Sequence, residues 1–210
     1  MQKGKQNKAI AVICDGIGGF LRGEQASSYV VRQIANWFMS EGYKQNGRKR
    51  KKALQQFIFQ IHEEIKEYGR EKGSPLGTTV TLVFVDNFKL YWFHCGDCRI
   101  YLFRQGKVKR ITVDHQDEKG NLSRAIGVGE WKVLDSGSTK IRRKDKVLLC
   151  TDGLYRNLSE KEWQVWFEKK VSSDEQAKRM LKQLFQKKMA KGEKDNLSAI
   201  YFGYVNWSFI

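Results

Sequence analysis

Apolar residues recur along the first part of the chain with helical spacing and later in strand-like runs, and the change falls near the single proline, Pro75. Upstream of Pro75, the apolar run 9–14 predicts a buried strand. The ranges 24–40 and 48–68 then carry apolar residues on one helical face. This part of the chain is therefore predicted to form one strand followed by two helices.

Downstream of Pro75, β-branched and apolar runs separated by short turns predict strands. We expect an antiparallel meander of four strands joined by short turns, at 78–85, 89–95, 99–104 and 107–113. Between this meander and 131–137, the range 114–124 is polar and is predicted to be a surface loop. Two further strands are predicted at 131–137 and 146–150.

The last part of the chain returns to helical spacing before a closing strand. Ser159 and Glu162 have the spacing of a capping box and predict a short helix, and a longer helix is expected over 172–191. The final strand is predicted at 197–205. Strand blocks separated from helix blocks favour an α+β layered domain over a parallel βαβ sheet.

Composition favours one packed domain covering residues 1–210. The chain is 40% apolar and 12% aromatic, and no Pro-, Gly- or Ser-rich linker divides it. No apolar stretch is long enough to predict a membrane span, and we expect a cytoplasmic protein. Three of the four cysteines lie in or beside apolar runs, which is typical of buried thiols in a reducing compartment. Cys95 and Cys98 match C-x-x-C, a pattern of zinc and redox sites, but no second pair accompanies them.

The chain is strongly basic, with a formal charge of +16. Such a charge has three interpretations: a solvated surface, attraction to acidic partners such as phosphorylated proteins, or attraction to nucleic acid. Aromatic residues are not interleaved with the basic run 48–52, and no nucleic-acid fold motif is present, which disfavours nucleic acid.

Acidic residues recur at the ends of the predicted strands. Asp15, Asp97 and Asp152 each stand beside a glycine at such an end, and Asp195 precedes the last strand. One interpretation is ordinary turn chemistry. The other is that the strand ends meet, in which case several carboxylates would converge and need a cation, and oxygen ligands alone select Mg²⁺ or Mn²⁺. The pattern leaves both interpretations open.

Six short motifs occur in an order that resembles a known family, and they span nearly the whole chain. They are Asp15-Gly16-Ile17-Gly18-Gly19 with Gly23-Glu24-Gln25-Ala26-Ser27, Gly77-Thr78-Thr79, Gly96-Asp97-Cys98-Arg99-Ile100-Tyr101, Leu122-Ser123-Arg124-Ala125-Ile126-Gly127, Thr151-Asp152-Gly153-Leu154 and Asp195-Asn196-Leu197-Ser198. Together they resemble the compact bacterial form of the PP2C (PPM) family of metal-dependent protein serine/threonine phosphatases.

The resemblance implies a fold and a metal centre. The fold would be a four-layer α/β/β/α sandwich, in which two antiparallel sheets are flanked by helix pairs. At one edge, Asp15 resembles the carboxylate that bridges two metal ions, and Gly16 the residue that offers its backbone carbonyl. Asp152 and Asp195 resemble the other ligands of the first metal, and Asp97, with Asp152, resembles the holder of a third and weaker ion.

The resemblance also implies a reaction and its partners. A metal-bound water held by Asp15 and Asp152 would hydrolyse phosphoserine or phosphothreonine on proteins, with Mg²⁺ or Mn²⁺ as cofactor. The partners would be phosphorylated proteins, with a serine/threonine kinase acting in opposition, and we expect a monomer. No phosphoenzyme is needed, which agrees with three histidines, His62, His94 and His115, that form no evident dyad. We interpret His62 as a residue flanking the second helix's apolar face.

Two departures from the family pattern support an alternative. Members carry an upstream segment with a phosphate-binding arginine and an acidic residue, whereas none of the fourteen residues before Asp15 is Asp, Glu or Arg. A helical flap found in many bacterial relatives is reduced here to a short stretch around 115–122. The alternative is a catalytically impaired, PP2C-like pseudophosphatase that binds phosphoproteins or regulates a partner.

Overall fold

The computed structural model describes residues 8–17, 23–42, 44 and 47–203, with the backbone alone for residues 41, 42, 47 and 48. The described residues form two compact units. Unit 1 holds the described residues up to Cys98 together with Asp114–Lys140, and unit 2 holds Arg99–Val113 together with the described residues from Ile141 onward. A single domain over residues 1–210 stays a prediction.

The described elements follow one another in an order close to the predicted one. In chain order they are β1 (Lys8–Ile13), α1 (Gly23–Trp37), a π-helical turn (Phe38–Gly42), α2 (Gly47–Glu71), β2 (Val80–Asp86), β3 (Lys89–Cys95), β4 (Arg99–Arg104), β5 (Lys107–Arg110), β6 (Asp135–Lys140), β7 (Lys146–Cys150), α3 (Asp152–Tyr155), α4 (Glu160–Glu168), α5 (Asp174–Ala190) and β8 (Ala199–Gly203).

Unit 1 is an antiparallel sheet with two helices packed on it. Its strand order is β1-β2-β3-β6. Val12 pairs with Leu82, and Leu82 pairs with Phe93, so these apolar side chains stand in one row across three strands. The helices contribute Val30 from α1 and Ile58 from α2, both fully buried against this row in one core. The end of β1, and with it Asp15, is therefore attached to a well-packed scaffold.

Unit 2 is built in the same way around aromatic side chains. Its sheet has the order β5-β4-β7-β8. Phe167 of α4 stacks on Phe103 of β4 with ring centroids 5.7 Å apart, and Trp166 meets Tyr201 of β8 edge to face at 5.6 Å. Aromatic contacts therefore attach α4 directly to this sheet.

The capping box predicted at the start of α4 is confirmed. The Ser159 side chain accepts a hydrogen bond from the Glu162 N–H, and the Glu162 side chain accepts one from the Ser159 N–H. That backbone hydrogen bond, helped by Lys187 and Lys191, lowers the pKa of Glu162 to about 2. Ser173 caps α5 in the same position. Both helix starts thus follow from short sequence signals.

The α+β class is confirmed, whereas the predicted meander is wrong. The four strands exist, but β3 pairs with β2 and β6, while β4 pairs with β5 and β7. Because both edges of β3 are already paired, β4 cannot add to this sheet and belongs to the other one. The turn at Gly96 and Asp97 therefore leads the chain from one sheet to the next.

Several predicted boundaries are also corrected. The strand expected at 131–137 begins only at Asp135, because Trp131 instead packs against Phe59 and His62 of α2 at 5.4 Å from each ring. The strand expected at 107–113 ends at Arg110. Residues 204 and 205 of the expected last strand lie outside the described residues.

Two sequence features prove to be parts of the core. Arg50, inside the basic run 48–52, is buried, pairs with Asp86 at 3.0 Å and lies 3.9 Å over the Phe84 ring. The four cysteines are free thiols, and burial raises the pKa of Cys95 to about 11, so this thiol stays protonated. No helix among the described residues has the length and apolar character that a membrane span requires.

Candidate metal centre

The corner after β1 fixes Asp15 through its backbone. The Asp15 N–H donates to the Thr79 hydroxyl at 2.9 Å. The Asp15 carbonyl accepts from the Thr79 N–H and from the Thr78 hydroxyl, both at 2.8 Å. Three hydrogen bonds thus explain why two threonines follow Gly77 in the motif, and they fix the backbone of the half-buried Asp15 at the strand end.

Gly16 is required by a close approach between two backbones. A Cβ atom on Gly16 would lie 2.3 Å from the carbonyl carbon of Gly23, the first residue of α1. The Ile17 N–H also donates to the Gly77 carbonyl at 3.0 Å. The D-G step therefore lets α1 begin directly against the end of β1.

Asp97 is buried in unit 1 and is held by the short loop that corresponds to the reduced flap. The Gln116 side-chain amide donates to Asp97 at 3.2 Å. Gln116 and Leu122 form a β-bridge, and the Asp117 carboxylate accepts from the Asn121 N–H at 2.8 Å, so the loop is closed on itself. The loop thereby contributes a contact to a predicted metal ligand.

A buried histidine network, absent from the sequence prediction, lies beside this loop. The Gly96 N–H donates to His115 Nδ1 at 2.9 Å, and His115 Nε2 lies 3.2 Å from the Asp135 carboxylate and 3.0 Å from Arg124. Arg124 donates to the same carboxylate at 2.9 Å. No histidine dyad was evident in the sequence, whereas the structure places His115 against Asp135. Burial lowers the pKa of His115, and the network holds the Gly96 turn.

The predicted role of His62 was wrong. His62 is fully buried instead of flanking α2, and its Nδ1 accepts a hydrogen bond from the Gly127 N–H at 3.0 Å. Burial lowers its pKa. It joins α2 to the turn at Ile126 and Gly127, and among the described residues it belongs to no group of side chains that could hold a metal ion.

In unit 2, Asp152 and Asp195 are oriented in the same manner. Asp152 follows β7 and accepts from the Gly153 N–H at 2.7 Å through Oδ1. Asp195 precedes β8 and accepts from the Asn196 N–H at 2.8 Å, also through Oδ1. A Cβ atom on Gly153 would lie 2.7 Å from the Asn196 carbonyl oxygen, so glycine lets the two segments approach closely.

The Oδ2 atoms of both carboxylates meet one cation, the guanidinium of Arg156. Arg156 pairs with Asp152, and its Nη1 lies 3.3 Å from Asp195. Two like charges ~4 Å apart repel by ~4 kcal/mol at an effective dielectric of ~20, and a shared cation offsets this cost. Sequence reasoning missed Arg156, although its position four residues after Asp152 is the helical spacing of an ion pair.

Asp152 and Asp195 offer the type of donor atom that a hard divalent ion prefers. Asp152 and Asp195 present only oxygen atoms, they already share one cation, and each has its other oxygen held by a backbone N–H. Within the described part of the chain, no three His, Cys, Asp or Glu side chains form a cluster that could hold a metal ion. The metal-ligand roles of Asp15, Gly16, Asp97, Asp152 and Asp195 stay predictions.

The described fold is that of bacterial serine/threonine phosphatases. The S. agalactiae serine/threonine phosphatase superposes with a TM-score of 0.83 over 97% of this chain and 90% of that chain, at 21% identity. Stp1 from Staphylococcus aureus also gives 0.83, over 97% and 88%, at 21% identity. At this identity, the likeness shows the fold.

Sequence comparison adds the family. The family model for protein phosphatase 2C matches residues 1–199, and the chain belongs to this family. The serine/threonine phosphatase stp of Listeria monocytogenes is 25% identical over 194 residues, which cover 82% of this chain and 77% of that protein. The family expected from the six motifs is therefore confirmed.

Proposed function

We propose that this chain hydrolyses phosphoserine and phosphothreonine on proteins in a reaction that depends on Mg²⁺ or Mn²⁺. Family membership supports a phosphatase, and the named relative is a serine/threonine phosphatase. The observation that carries the metal dependence is the convergence of the Asp152 and Asp195 carboxylates on one cation.

Each predicted ligand has a defined task in this proposal. Asp15 and the Gly16 carbonyl would be metal ligands in unit 1, and Asp152 and Asp195 would be metal ligands in unit 2. Asp97 would serve a further ion. When bound, the metal ions supply Lewis acidity that activates water for attack on the phosphoester. The chain itself orients these residues, through the Thr79 contact to the Asp15 backbone and the backbone N–H groups that donate to Asp152 and Asp195.

Charge supports phosphoprotein substrates. The net charge of +16 favours the approach of anionic partners, and a phosphorylated segment carries such a charge. Arg50, which belongs to the basic run 48–52, is buried and pairs with Asp86. Part of this run is therefore inside the protein, which disfavours a nucleic-acid-binding surface there.

The test is hydrolysis of an aryl phosphate and of a phosphothreonine peptide by the purified chain, with and without Mn²⁺. We expect turnover that EDTA abolishes, and Asp152→Asn should lower kcat by at least about 100-fold, as expected for loss of a key electrostatic contact. Asp174→Asn makes the same chemical change at the exposed start of α5 and should leave turnover unaltered. Equal activity in Asp152→Asn and the parent chain would refute these roles.

A second candidate is a phosphoprotein-binding pseudophosphatase. The observation that favours it is the position of the Arg156 guanidinium on the two carboxylates that would otherwise hold metal. This candidate predicts phosphopeptide binding without turnover at millimolar Mn²⁺. Metal-dependent turnover would exclude it.

A further inference from the structure

Arg156 contacts the same atoms that a metal ion would use. Its guanidinium pairs with Asp152 Oδ2 and lies 3.3 Å from Asp195 Oδ2, while the Oδ1 atoms are held by backbone N–H groups. The guanidinium has five N–H donors and a permanent charge, so it can satisfy two carboxylates at once. In the described structure it is the cation around which this pair is arranged.

The backbone of Arg156 is held in place by a buried lysine. The Arg156 N–H donates to the Asp152 carbonyl at 2.8 Å, and the Arg156 carbonyl accepts from the Lys188 ammonium. Lys188 is only 2% exposed, although a buried ammonium is costly unless it is paired and hydrogen-bonded. Glu193 supplies the pairing at 3.5 Å. The position of Arg156 is therefore built into the packing of α5.

The same lysine connects Arg156 with the segment that carries Asp195. Glu193, the partner of Lys188, accepts a hydrogen bond from the Asp195 N–H at 3.1 Å. This contact, followed by the charge of Lys188, lowers the pKa of Glu193. Lys188 thus links Arg156 to the backbone of Asp195, so that Arg156 and both carboxylates belong to one hydrogen-bonded arrangement.

The backbone of Arg156 is held by contacts that do not involve its guanidinium. Its side chain is 52% exposed, whereas Asp152 is 10% exposed, so the guanidinium reaches the carboxylates from the solvent side. Its backbone contacts do not depend on where the guanidinium lies. An ion entering from solvent would meet the arginine before it meets Asp152.

We propose that Arg156 is an internal counter-ion that occupies Asp152 and Asp195 in the metal-free protein and is exchanged for the metal ion. This inference rests on the proposed function, because it requires both residues to be metal ligands. Metal binding then becomes a replacement of one cation by another. The exchange weakens metal affinity and keeps the metal-free protein folded around a neutralised pair of carboxylates.

The experiment is calorimetric titration of Mn²⁺ into the metal-free full chain, with thermal unfolding measured at zero and saturating Mn²⁺. Arg156→Gln should bind Mn²⁺ about 2- to 5-fold more tightly than the parent, the upper part of the range expected for loss of a partly exposed competing ion pair. Without metal, Arg156→Gln should unfold at a lower temperature than the parent, and at saturating Mn²⁺ this difference should disappear. Arg179→Gln removes the same charge from an exposed position on α5 and should change Mn²⁺ affinity by less than about twofold.

The other outcomes are decisive as well. Arg156→Lys retains a cation that cannot contact two carboxylates in the same planar way, so its Mn²⁺ affinity should lie between those of the parent and Arg156→Gln. This variant gives the answer if Arg156→Gln does not fold. Equal or weaker Mn²⁺ binding by the folded Arg156 variants overturns the inference and leaves the metal-dependent function intact. Mn²⁺ binding by none of the folded chains overturns the proposed metal centre, and the inference with it.

Discussion

Protonation of His62 should control how this protein responds to acid. His62 is fully buried on α2, and its Nδ1 accepts the Gly127 N–H at 3.0 Å. Its Nε2 has no hydrogen-bond partner among the described residues and lies 3.7 Å from the Glu63 carboxylate. A protonated ring would carry a proton on both nitrogens and would place one against an N–H donor. Burial, opposed by Glu63 and assisted by Lys66, accordingly lowers the pKa of His62 below 6.5.

The sign and size of the effect follow from linkage. The pKa of His62 is about 6.5 in the unfolded chain and lower in the folded chain. Between these two pKa values the unfolded chain binds a proton that the folded chain does not, so the free energy of unfolding is highest above about pH 6.5 and falls as the pH falls. One such proton costs up to ~1.4 kcal/mol for each pH unit below 6.5. At about pH 5.5, His62 should therefore account for up to ~1.4 kcal/mol of lost stability.

The assay is urea unfolding of the parent and of His62→Asn at about pH 7.5 and 5.5. Asparagine Oδ1 can replace Nδ1 as the acceptor for Gly127 but cannot titrate, and its packing cost is the same at both pH values. The free energy of unfolding should fall by up to ~1.4 kcal/mol more in the parent than in His62→Asn. His115 is present in both chains, so its contribution to the pH dependence cancels when the two losses are compared. An equal loss in the two chains would show that His62 does not govern the response.

Two further predictions concern contacts that support the two units. Asp145→Ala should cost about 3–5 kcal/mol in urea unfolding, because it removes the buried carboxylate that pairs with Arg104, whose side chain is 22% exposed, at 2.7 Å. A loss below about 3 kcal/mol would contradict this. Gly16→Ala should cost about 1–3 kcal/mol, because its Cβ would lie 2.3 Å from the Gly23 backbone. An unchanged thermal midpoint for Gly16→Ala would exclude the close approach.

The elements of the fold were predictable because their signals are local. The apolar spacing of α1 and α2 and the capping box of Ser159 and Glu162 depend on neighbours within a few residues, and they led to helices within a few residues of the observed bounds. The pairing of β3 and β4 was not predictable in this way. A Gly-Asp turn does not reveal that β6, far along the chain, already occupies the free edge of β3.

In the candidate site, too, some residues were predictable from the sequence and others were not. Asp15, Asp97, Asp152 and Asp195 stood out because each is a carboxylate at a strand end, often beside a glycine. The residues that hold them did not stand out. Lys188 is a charged residue in a basic helix, where exposure is the ordinary expectation, and it becomes buried only because the Arg156 carbonyl and Glu193 meet it from distant segments.

Through the position of Lys188, the proposed ion binding is also coupled to how often α5 opens from the rest of unit 2. In sequence, α4 and α5 lie between Asp152 and Asp195. The two carboxylates therefore share a cation only while this helical segment is packed in its folded position. An ion held by both residues would add its binding free energy to the free energy needed to open this helical segment. If the proposed metal ion binds there, the helical segment should open, and so be exposed to proteases, less often when the ion is present.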